Sequence, residues 1–101
     1  MSGTKSARPI MVLLDVLGKR WTLRIMWELR NGPFTFRALQ EACDMISPTT
    51  LNKRLGDLKD LKIVDHQPEG YELTAKGLEL AKIMMGLTEW AEKEIKPPAK
   101  S

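Results

Sequence analysis

Residues Ile46 to Lys62, ISPTTLNKRLGDLKDLK, admit little other than one capped helix with one wet side. Ser47 is a favoured N-cap, because its hydroxyl accepts a bond from an unpaired N–H of the first turn. Pro48 suits the first helical position, where a missing N–H costs nothing. Leu51, Leu55 and Leu58 recur at helical spacing and line one face, and Leu61 widens the stripe. Thr49, Asn52, Lys53, Gly56 and Asp60 fall opposite, with Thr50, Arg54 and Asp57 on the flanks. Taken alone, this is an amphipathic helix with a solvated polar face. Its capped end, however, gathers hydroxyls, an amide and two cations. Asn and Arg match base edges, whereas Thr, Lys and the free N–H groups of a helix start match phosphates.

The leucine stripe needs a frame, and the rest of the chain supplies one. Pro9 suits a helix start. Ile10, Met11, Leu13, Leu14, Val16 and Leu17 are apolar almost all round, so this helix must be covered on several sides, part of the cover coming from a second subunit. Gly18 marks its end. Trp21 to Leu29 reads as a second helix with both tryptophans in the core and Arg24, Glu28 and Arg30 on the wet side. Asn31-Gly32-Pro33 breaks it. Phe34-Thr35-Phe36 reads as a short strand, with Thr35 able to cap the helix FRALQEAC. Phe36, Leu39 and Cys43 share that helix's inner face. Asp44 and Met45 leave only a tight turn before Ser47, which gives a helix-turn-helix pattern.

After the polar helix, Ile63 to about Gln67 reads as extended. Gln67-Pro68-Glu69-Gly70 carries Pro and Gly where a type I turn prefers them, and Tyr71 and Leu73 return. This hairpin reads as a wing. Thr74 caps a final helix to Glu94 whose apolar stripe is Ile83, Met84, Leu87, Trp90 and Ala91, more than one small core needs. Gly77 and Gly86 on this helix favour close packing. The fold expected is mainly α with a small β-hairpin (α+β), a winged helix-turn-helix with extra helices at both ends. It occupies 9–95, between flexible tails at 1–8 and 96–101.

Several function classes fall away. A chain of 101 residues suits one domain with a modest core. No apolar run approaches the ~20 residues of a membrane span, and MSGTKSARP lacks the apolar segment of a signal peptide, so a cytoplasmic protein without a membrane partner is expected. Cys43 is the sole cysteine, which excludes an intrachain disulfide and reads as a small core residue. His66 is the sole histidine and has no carboxylate partner at metal-binding spacing, so it reads as a solvated wing residue and no metal is expected. Asp57 and Asp60 suit ion pairs with Lys53, Arg54 or Lys59. Met84 and Met85 beside Trp90 suit a dimer seam better than a ligand cavity. The sequence holds no phosphate loop, nucleophile elbow or H-E-x-x-H, so no enzyme and no cofactor are expected. The net charge of +3 is mild, but Met1 to Arg20 is basic and Gln67 to Glu94 acidic, which is compatible with a polyanion on one side.

Leu13 to Glu94 resembles the HxlR-type winged-helix transcriptional regulators. The matching stretches are LLDVLGKRWTLRIMWELRNGP (Leu13 to Pro33), F-x-x-L (Phe36 to Leu39), ISPTTLNKRLGDL (Ile46 to Leu58) and YELTAKGLEL (Tyr71 to Leu80), followed by Trp90. The resemblance implies a dimer formed through the terminal helices, with the serine–proline helix in the major groove of duplex DNA. It implies DNA contacts by Thr49, Thr50, Asn52, Lys53 and Arg54, with Ser47 near a phosphate. The wing, His66 to Gly70 with Gln67 between, would lie over the backbone or minor groove. The dimer seam would take Ile10, Leu13, Leu14 and Leu17 with Ile83, Met84, Leu87 and Trp90. Lys19, Arg20 and Arg37 are candidates for further backbone contacts. The chain departs from the family in a short wing tipped by Glu69, in Gly56, in Phe34-Thr35 and in Lys62, where a helix-ending Gly is usual. It has no cysteine ahead of the first helix, so the family's oxidant-sensing chemistry does not carry over. Two readings follow: a homodimeric sequence-specific DNA-binding regulator, or a winged-helix module for binding another protein. The sequence names no effector.

Overall fold

Residues 8–97 are described by a computed structural model. Their order is α1 (Pro9–Leu17), α2 (Thr22–Leu29), α3 (Phe36–Ala42), α4 (Pro48–Asp60), β1 (Val64–Gln67), β2 (Gly70–Leu73) and α5 (Ala75–Glu94). The expected tails lie almost wholly outside the described residues; within them, Arg8 caps α1 through its carbonyl, which accepts from Met11 and Val12.

Leu51, Leu55 and Leu58 of α4 are fully buried, as their spacing requires. They meet Ile25, Met26 and Leu29 of α2, Leu39 of α3 and the hairpin's Val64 and Leu73 in one core. β1 and β2 pair antiparallel with Val64 opposite Leu73 and Gln67 opposite Gly70. The expected strand at Phe34 is a single bridge to Tyr71, made by two backbone bonds of 2.8 and 3.0 Å.

The tryptophans depart from expectation. Thr22, Ile25, Met26 and Leu29 form the buried face of α2 at strict helical period. Trp27 and Leu23 fall off that face and are exposed, and the Arg30 guanidinium lies 3.7 Å over the Trp27 ring. Trp21 stands outside the helix as its N-cap, partly buried, with φ +78°.

Two helices end in the same way. After α3, the Met45 N–H bonds the Gln40 carbonyl and Asp44 bonds Glu41; after α4, Ile63 bonds Leu58 and Lys62 bonds Lys59. Both are Schellman closures, which need a left-handed residue just past the cap. Asp44 and Lys62 fill that role at φ +57° and +63°. Asp tolerates this conformation, whereas Lys meets a steric penalty there of about 1 kcal/mol. Lys62→Gly is therefore expected to raise the melting temperature by roughly 4–8 °C, read by thermal unfolding.

The terminal helices are the least covered. No residue of α1 is buried, and α5 buries only Gly77 and Ala81. Leu13, Leu17 and Met84 pack partly on the chain's own core, while Ile10, Leu14, Ile83, Leu87 and Trp90 stand free. Gly77 does pack closely, but against the Ile63 backbone, not a helix; among the described residues nothing beyond its own helical backbone lies within 4 Å of a Cβ placed at Gly86.

Candidate nucleic-acid interface

Local chemistry fixes where α4 begins. The Ser47 hydroxyl accepts from the Thr50 N–H at 3.1 Å and donates to the Thr50 hydroxyl at 2.9 Å. The turn ahead of it is pinned by Arg24 of α2. Arg24 Nη2 donates to the Ala42 carbonyl at 2.7 Å and Nη1 to Asp44 at 3.3 Å, while Nε donates to Glu28 at 2.9 Å. The hydrogen bond to Glu28, aided by Asp44, raises the Arg24 pKa further and keeps it cationic. Gln40 Nε2 adds a bond to the Ile46 carbonyl at 2.9 Å. The i,i+4 spacing shows the Arg24–Glu28 pair, but nothing in the sequence pattern marks the bonds from Arg24 and Gln40 to the Ala42 and Ile46 carbonyls.

The outer face of α4 carries Thr49, Asn52 and Lys53, all exposed. Among the described residues Lys53 has no ion pair. Gly56 leaves a shallow gap beside them. Arg54, expected with this group, is instead drawn inward: its Nε donates to the Arg20 carbonyl at 3.0 Å and Nη1 to Asp57 at 3.4 Å. Asp57 also meets Lys19 at 3.5 Å, a partner the helical spacing could not show. Asp60 makes no ion pair among the described residues. Arg37 on α3 is open to solvent and loosely held by Glu41 at 3.4 Å.

The wing keeps its place but presents little positive charge. His66 is exposed and stacks flat on Tyr71, ring centroids 4.0 Å apart. The Gln67 amide is bonded to Asp65. Gly70, expected on the wing surface, is buried: its φ is +132° and an added Cβ would overlap the Phe34 backbone. It serves the packing of the hairpin on Phe34, not a ligand.

Cys43 is fully buried at the end of α3. Burial pushes its thiol pKa up, against a smaller opposing pull from Arg24, so the reactive thiolate is disfavoured. No described helix is long and apolar enough to cross a membrane.

The pattern that defines HxlR-like helix-turn-helix proteins matches residues 16–99. The chain belongs to the HxlR-like helix-turn-helix family. It is similar to the HTH-type transcriptional regulator YodB of Bacillus subtilis, 36% identical over 90 residues that cover 82% of this chain and 80% of YodB. It is 32% identical over 87 residues to the HTH-type regulator MJ0925 of Methanocaldococcus jannaschii, covering 82% of each. The solved reduced form of YodB superposes with a TM-score of 0.78 at 34% identity, covering 91% of this chain and 98% of that one. This HxlR-like protein is a DNA-binding transcriptional regulator and not an enzyme, and its mainly helical fold with a two-stranded wing is the winged helix-turn-helix of YodB.

Proposed function

We propose that this chain acts in the cytoplasm as a homodimer that reads a two-fold operator, with α4 in the major groove. The observation that carries this reading is the uncommitted outer face of α4. Asn52 and Lys53 stand exposed one turn past the Ser47 cap, while the leucines behind them are sealed in the core. Asn52 there can reach base edges, and Lys53, Thr49 and the first N–H groups of the helix can reach phosphates. The two α4 helices of a dimer would sit about one DNA turn apart, ~34 Å. For the second copy, α1, α2 and α5 offer a groove of about 470 Å³ between Leu14, Leu17, Leu23, Trp27, Met84 and Leu87. Gly86 lies on the same exposed stripe as Ile83, Leu87 and Trp90, where the missing side chain lets another helix come near.

Selection from a random duplex pool, followed by anisotropy titration, tests this reading. Lys53→Ala should weaken binding at least about tenfold and reduce the salt slope by about 0.9 for each protomer, about 1.8 for the dimer, with the melting temperature unmoved. Unchanged affinity would remove Lys53 from the interface. The acidic Glu69 at the wing tip favours a second reading, a module that binds another protein. Absence of any gel shift at about 10 µM protein in low salt would favour it.

A further inference from the structure

Arg54 stands next to Lys53 on α4, yet its guanidinium is committed inside the chain. One donor goes to the Arg20 carbonyl at 3.0 Å and another to Asp57 Oδ2 at 3.4 Å. The same carboxylate oxygen takes Lys19 Nζ at 3.5 Å. A single planar fork thus joins the middle of α4 to the turn between α1 and α2. Arg holds two such partners in fixed directions, whereas Lys offers one compact point of charge. The turn it holds is short and ends in a left-handed Trp21, φ +78°, a conformation that persists only where the surroundings impose it. The Arg54 side chain is largely covered, while Lys19 and Arg20 are exposed on that turn.

We infer that Arg54 is a positioning residue, which leaves DNA untouched and holds Lys19 and Arg20 beside the recognition helix so that those two side chains neutralise phosphates. The inference rests on the DNA-binding reading of α4 for its partner. It also accounts for Asp57, whose carboxylate holds Arg54 and Lys19 at once.

The test uses the full chain and a short labelled duplex of mixed sequence, titrated by anisotropy across about 50–200 mM salt. Lys19→Gln with Arg20→Gln should lower the slope of log affinity against log salt by about 1.8 for each protomer bound, about 3.6 for the proposed dimer, at roughly 0.9 for each phosphate no longer neutralised. Arg54→Lys conserves charge, so a residue that itself touched phosphate would leave the slope as it was. As a positioning residue it should lower the slope nearly as far as the double variant, and should lower it no further when added to that variant. A role in stability alone would move the melting temperature and not the slope of the folded protein. An unchanged slope in Arg54→Lys overturns the inference. So does an unchanged slope in the double variant, whose substituted side chains are on the surface. A wild-type chain that binds no duplex at about 10 µM removes the DNA reading and this inference together; wild-type binding with the full slope retained in Arg54→Lys removes the inference alone.

Discussion

Gly77→Ala should destabilise the fold by about 3 kcal/mol and lower the melting temperature by roughly 15 °C. The first turn of α5 lies directly on the backbone of Ile63, and a methyl at position 77 would overlap that residue's carbonyl oxygen. The carbonyl has nowhere to go. It already accepts the Thr74 N–H at 2.9 Å, while the Thr74 hydroxyl donates to the neighbouring Lys62 carbonyl at 2.6 Å, lies 3.2 Å from the Ile63 carbonyl, and accepts the Gly77 N–H and so caps α5. Relief requires lifting the helix, which strips the cap and uncovers Ala81 together. Gly56→Ala is the matched control, because no atom lies within 4 Å of the added methyl there. It should stabilise the chain by about 0.5–1 kcal/mol through helix propensity. Equal melting temperatures for the two variants would refute the close approach at Ile63.

Ile83→Glu with Leu87→Glu should convert the proposed dimer to a monomer and weaken operator binding at least about 100-fold. Both side chains are more than half exposed in the single chain, at 66% and 64%, so a carboxylate at either site meets water and the protomer fold survives. Across a two-fold seam each substitution appears twice, and four carboxylates would enter an apolar interface. Two linked half-sites exceed one by about 10²–10⁴ in affinity, which sets the size of the loss. Sedimentation velocity reads the assembly and circular dichroism the fold. A variant that still sediments as a dimer would move the seam elsewhere.

Helix periods made most of the architecture readable in the residues themselves. The caps at Thr35, Ser47 and Thr74, the buried stripe of α4 and the bounds of α5 all follow from spacing and end chemistry. Interactions between segments distant in the chain did not show. Helical spacing could show the pairing of Arg54 with Asp57, but only the tertiary path brings the Arg20 carbonyl to Arg54 and turns it from the DNA face. Trp27 looked buried because of its size, although the period of Ile25, Met26 and Leu29 rotates it away from the core. Gly70 looked like an exposed wing residue, but the bridge between Phe34 and Tyr71 closes over it. For Arg54 and Gly70 a pattern along one element competed with a contact from another, and the contact decided; for Trp27 the period of its own helix decided.

Helix α1 has nine residues and buries none of them. Isolated helices shorter than ~12–15 residues are marginal in water, so this one draws its order from whatever lies against it. If that neighbour is a second copy, the ordering of α1 obeys mass action. The turn it feeds into, which Arg54 grips, would then be fully set only at concentrations where the chains pair.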